Sequence, residues 1–228
     1  MKNRVIIIMC IIALNFIVVS CATSGPNVIF KPETLYRSPA LDFSKIQAVA
    51  IMPVNNYDNE VPEVSGAIND ALPIELKASQ KAWNVISHDE ILRKVNEKGW
   101  GRGYQNYVAD LNTYVQVAGG TPNFTSETYK FFDDMSKELN FQAIVFTSYS
   151  YIEEIQPGEK LFYGAIDLST KTKILSITTI LFDLSSRRAW WLARISVKGG
   201  EKVLIPELVR SAIQGIAQNF GRGILRQL

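Results

Sequence analysis

Ala48-Val49-Ala50-Ile51-Met52-Pro53-Val54 runs apolar without alternation. A strand with one wet face alternates apolar and polar residues, so this run reads as a central strand covered on both sides. Such a strand needs a sheet flanked by helices, and the segments that follow supply them. Residues 65–80 read as a helix with Ala67, Ile68, Ala71, Leu72 and Leu76 on one side, kinked or restarted at Pro73. Residues 83–87 read as a short strand. Ser87, with Glu90 three positions on, forms a capping box opening a helix over 89–98. A helix over 126–139, capped by Thr125 or Ser126, turns Phe131, Phe132, Met135 and Leu139 inward, with Asp133, Asp134 and Lys137 facing out. Residues 142–152 read as a strand. Residues 174–184 and 189–197 then read as a hairpin across Ser185-Ser186-Arg187-Arg188. Alternation in its second strand sends Ala189, Trp191, Ala193, Ile195 and Val197 to the core and Trp190, Leu192, Arg194 and Lys198 to the other face. Ile205, Leu208, Val209, Ala212, Ile213, Ile216, Phe220, Ile224 and Leu228 recur at helical spacing behind Pro206. The expected fold is α/β: a single three-layer-like domain over 43–228, with a mixed central sheet, helices packed on it, a late β-hairpin and a C-terminal amphipathic helix.

Ahead of this domain, Lys2 and Arg4 precede an apolar run over 5–19, broken only by Asn15. The run is shorter than the ~20 residues of a membrane-spanning helix, and reads as a secretory signal peptide over 1–20. It ends in Val18-Val19-Ser20-Cys21. This order resembles the lipobox of bacterial lipoproteins, in which the cysteine is acylated, as with palmitate, and becomes the first mature residue. A plain signal peptide that happens to contain a cysteine is the alternative. Ala22, rather than Asp, resembles the enterobacterial pattern for passage to the outer membrane. The expectation is a protein lipid-anchored there through Cys21 and facing the periplasm. Residues 21–42 read as the lipidated N-terminus and a tether, since Pro32 and Pro39 interrupt any regular element. An arm lying along the domain or on a neighbouring subunit is the alternative.

Cleavage before Cys21 removes Lys2 and Arg4 and no acid, so the formal charge of +2 becomes neutral. With no run of Lys or Arg, nucleic acid is not an expected partner. Cys10 lies in the leader and Cys21 carries lipid, which leaves no disulfide and makes stability the task of the core. His88 is the single histidine, and Gly-x-Ser-x-Gly and metal-ligand spacings are both missing. Neighbouring His88, Asp89 and Glu90 do not converge from a helix. No catalytic, metal or cofactor residue is therefore expected, and Asp133 with Glu153 is the carboxylate pair on which glycan hydrolysis could draw. Residues 99–124 hold five glycines (Gly99, Gly101, Gly103, Gly119 and Gly120) among Trp100, Tyr104, Tyr107 and Tyr114. They read as a turn-rich surface loop, and these aromatics with Trp190 are candidate partner contacts. Packing onto their own domain is the alternative for each.

Three stretches carry a family resemblance. Ala48 to Val54 is similar to an opening strand that ends in proline. Glu138-Leu139-Asn140-Phe141-Gln142-Ala143-Ile144-Val145 is similar to a helix end leading into the next core strand. Ile180-Leu181-Phe182-Asp183-Leu184-Ser185-Ser186-Arg187-Arg188-Ala189-Trp190-Trp191 is similar to a late hairpin. With the lipobox, these resemble the domain shared by the curli-secretion (CsgG-like) lipoproteins, the penicillin-binding-protein activator LpoB and the exopolysaccharide-export lipoprotein PelC. Two departures stand out. The family usually has glycine in the hairpin turn, where this chain has Ser-Ser-Arg-Arg. Curli-type pores insert two long hairpins per subunit, and neither 99–124 nor 153–173 sustains the alternation of a ~9–11-residue membrane strand. The resemblance implies a non-enzymatic accessory or assembly subunit of an envelope machine for export or wall synthesis. Its partners would be the membrane, through Cys21, and other envelope proteins. Alternatives are a homo-oligomeric ring or channel subunit of a secretion system, and a carboxylate-dependent glycan hydrolase.

Overall fold

The computed structural model describes residues 29–54, 61–116, 122–156, 160–161, 166–167 and 170–220. The expected leader and Cys21 lie outside them, as do Gly119, Gly120, Ile224 and Leu228. In chain order the elements are β1 (Ile29–Arg37), β2 (Ala48–Ile51), α1 (Pro62–Ser79), β3 (Asn84–Ile86), α2 (His88–Lys98) and α3 (Gly101–Gln116). Then come α4 (Ser126–Leu139), β4 (Ala143–Gln156), β5 (Lys160–Leu161), β6 (Ile166–Asp167), β7 (Thr170–Asp183), β8 (Arg188–Gly200) and α5 (Ile205–Asn219). The main sheet is mixed and six-stranded, in the order β1-β8-β7-β4-β2-β3. β2 runs parallel to β3 and β4, and the remaining pairs are antiparallel.

Helices cover both faces, as the unbroken apolar run requires. Val49 and Ile51 of β2 face one core with Val64, Ile68, Leu72 and Leu76 of α1 and Leu208, Val209, Ile213 and Ile216 of α5. Ala48, Ala50 and Met52 face the other, with Ile91 and Val95 of α2, Tyr107 and Leu111 of α3, and Phe131, Phe132 and Met135 of α4. Pro73 sits inside an uninterrupted α1. A proline there costs ~3 kcal/mol, whereas each of the four buried aliphatic side chains of α1 contributes roughly 1.5–3 kcal/mol, so packing prevails. Helix ends follow local chemistry. Pro62 and Pro206 open α1 and α5, where a missing N–H is harmless. Ser87 Oγ accepts from Glu90 N–H, and Thr125 Oγ1 from Thr128 N–H. Gln142 Oε1 accepts from Gln47 and Ala48 N–H, which fixes the start of β2 against β4.

Three segments differ from expectation. From Ile29 the expected tether is β1, an antiparallel edge strand of the sheet. Pro32 is tolerated because an edge strand can turn its missing donor away from the ladder. The expected loop over 99–124 is helical from Gly101 to Gln116. Gly99, at φ +69, closes α2 with Trp100 N–H bonding Val95 O and Gly99 N–H bonding Asn96 O, a Schellman ending that lets a new helix start at once. Gly103 serves packing: a Cβ there would lie 2.9 Å from Phe131 Cβ, so the missing side chain allows α3 to rest on α4. The third difference is a β-bulge. Leu181 pairs with Trp191 but Phe182 with Ala189, leaving Trp190 as the extra residue. The faces shift at that point. Trp190 and Trp191 both pack on the α1–α5 core, whereas Ala189 and Leu192 face the core under α2–α4.

Candidate functional site

The candidate contact residues separate once placed in the fold. Tyr107 is 1 % exposed; its ring stacks on Phe146 at 5.7 Å and meets Phe132 at 5.6 Å. Trp100 and Tyr104 are half-buried against the same core, and burial pushes the Tyr104 phenol up. Trp190 is half-buried against the opposite core. These four aromatics therefore pack on their own domain. Tyr114 belongs to α3, but its side chain lies outside the described residues.

The acidic candidates do not meet. Asp133 lies 3.5 Å from Arg187 in the β7–β8 turn, whereas Glu153 accepts from Tyr151 Oη far out on β4. Glu153 pairs with Lys173, ten rows from the Ala143–Asp183 pair beside that turn, roughly 30 Å along the strands. His88 Nε2 is 3.1 Å from the Asp89 carboxylate, while Glu90 is 4.0 Å from Arg93. Among the described residues no three His, Cys, Asp or Glu gather as metal ligands, and no helix is long and apolar enough to cross a membrane.

Two surface features were not anticipated. The first is an open groove of about 690 Å³ between α1 and α5, lined by Pro62, Gly66, Asp70, Ile74, Pro206 and Arg210. The second is a two-stranded arm. β4 and β7 stay paired to Gln156 and Thr170, beyond the last core residues, Tyr149 and Leu175. Ile152 and Ile155 on the arm are 53 % and 64 % exposed, and Leu204, beside its base, is 62 % exposed. Tyr151 donates to Glu153 at 2.7 Å; burial, with that hydrogen bond, drives its phenol well above the ordinary range. The sequence signal for the arm was length: β4 and β7 are each 14 residues, more than the core needs.

No family model matches the chain, and no curated protein does. Among solved structures, the PelC dodecamer of Paraburkholderia phytofirmans is similar over 84 % of this chain and 95 % of its own, at 12 % identity and TM-score 0.46. Lipoprotein GNA1162 of Neisseria meningitidis is similar over 75 % and 97 %, at 13 % identity and TM-score 0.41. At these levels, nothing about assembly, substrate or partner passes from those proteins to this one.

Proposed function

We propose that this chain is a lipid-anchored accessory or assembly subunit of a cell-envelope machine, facing the periplasm and without catalytic activity of its own. The observation that carries the reading is Val18-Val19-Ser20-Cys21 behind a charged and apolar leader. The separation of Asp133, beside the β7–β8 turn, from Glu153, far out on β4, supports a binding domain rather than a glycan hydrolase. The test is metabolic labelling with a palmitate analogue, followed by membrane flotation. Label and flotation should both disappear in Cys21→Ala. Retained flotation without label would sink the anchor and with it the location.

Self-assembly is the second reading, favoured by the outer edge of β1. No described strand pairs with that edge, and Leu35 and Tyr36 beside it are exposed. An unpaired edge is a template for another chain. Native mass in mild detergent decides between the two: a monomer leaves a tethered accessory protein, and a ring of many subunits a scaffold or channel role.

A further inference from the structure

We propose that the groove between α1 and α5 receives an amphipathic helix of a partner protein, one that carries lysine or arginine beside its apolar stripe. The choice of a protein as occupant rests on the accessory role proposed above, whereas the groove itself does not depend on the anchor at Cys21. The groove begins at Pro62 and Pro206, in the first turns of the two helices. Its far end is bridged by Gln214, which donates to Glu75 at 3.3 Å. From residue 62 to residue 75 a helix rises ~20 Å, the length of a docked helix of about 13 residues.

Apolar and charged groups line it in a definite arrangement. Val64, Ile68, Leu72 and Leu76 of α1 face the core, yet Ile74 lines the groove and, at 67 %, is the most exposed large apolar side chain among the described residues. Ala67 and Ala71 continue that strip. The acids stand on the α1 wall, where Glu63 and Asp70 are exposed and Glu75 lies at the bridge. Arg210 stands opposite, on α5. Among the described residues, Glu63, Asp70 and Arg210 form no ion pair. Three carboxylates against one guanidinium leave the groove negative, so a cationic occupant is complementary to it. The occupant's own conformation follows from the walls. Both are helices whose backbone groups are already bonded, so an extended segment would turn unpaired N–H and C=O groups towards them. A helix arrives with those groups satisfied and presents an apolar stripe to Ile74. Sites for small ligands enclose most of the ligand, whereas this groove is open to solvent.

The experiment titrates two fluorescent, helix-stapled peptides of about 13 residues against the full lipoprotein in phosphatidylcholine nanodiscs, whose surface carries no net charge to attract a cationic helix. Both peptides carry the same leucine stripe, flanked by lysines in one and by glutamates in the other. Fluorescence anisotropy should show the lysine helix binding about tenfold more tightly than the glutamate helix, with an affinity that falls as salt rises. Ile74→Lys should weaken the lysine helix about tenfold, and Asp70→Lys should erase the preference between the two. Arg210→Glu should tighten the lysine helix several-fold, a gain that misfolding cannot imitate. Equal binding of the two helices, binding of neither, or indifference to all three substitutions would overturn the inference. So would a native mass that doubles in wild type and reverts in Ile74→Lys, which would assign the groove to a second copy of this chain. Palmitate label and flotation without peptide binding would remove this inference alone. Peptide binding by a chain that takes up no label would remove the anchor alone.

Discussion

Single residues set this fold where generic propensity would have chosen otherwise. Gly103 is an example: alanine is the better helix former by ~1 kcal/mol, yet a methyl there meets Phe131 Cβ at 2.9 Å. Overpacking of this kind costs ~1–3 kcal/mol, so Gly103→Ala should lower the denaturation midpoint. Gly101→Ala, with open space around it, should be neutral or slightly stabilising; equal effects from the two would remove the packing argument. Asp110 offers a test by pH. Its Oδ2 accepts from Thr125 N–H at 2.8 Å and from the Thr125 and Thr128 hydroxyls at 2.7 Å, joining α3 to the start of α4. Burial pushes this carboxyl up, but the hydrogen bonds from Thr128 and Thr125 outweigh it and hold it below the usual range. A depressed folded-state pKa stabilises above the unfolded value and is lost as pH falls through the folded one. Asp110→Asn should therefore cost about 1 kcal/mol near neutrality, after discounting for solvent screening. The gap from wild type should close in urea titrations taken below about pH 4. Arg187 meets the missing turn glycine differently. It takes a positive φ of 54° and places its guanidinium over the Tyr129 ring at 4.4 Å, so a contact offsets the backbone strain.

At the scale of elements, periodicity read well wherever one residue type did one job. The helices over α1, α2, α4 and α5, and the strands β2, β3, β4, β7 and β8, were legible because apolar spacing and caps agreed. The failures share a cause. Glycines in sequence suggest a loop where α3 lies, but Gly99 ends one helix and Gly103 admits another, and only the neighbouring helix reveals the difference. Alternation along β8 was extended through Trp190 because a bulge leaves no mark in a single strand; it is a mismatch between two. Pro32 suggests a break in sequence, although an edge strand tolerates a proline whose missing donor faces away from the ladder. Tyr107 follows the same logic: on a loop it would be exposed, and on α3 it is core. β1 gives a direct test. A form beginning at residue 22 should unfold like the full mature domain, whereas one beginning at residue 38 strips the ladder from β8 and should lose several kcal/mol. Equal melting temperatures would mean that β1 is a tether after all.

For the whole molecule, the topology also sets an order in time. β1 emerges first during synthesis, but its pairing partner near Lys198 lies about 170 residues later in the chain. At ~5–20 residues per second that is a delay of roughly 10–30 s. The strand nearest the cysteine is thus the last of the sheet to be locked. Until then β1 has no ladder to join, and the cleavage and acylation proposed at Cys21 would act beside an unpaired strand. Pairing of β1 with β8 therefore waits for nearly the whole chain and closes that edge of the sheet.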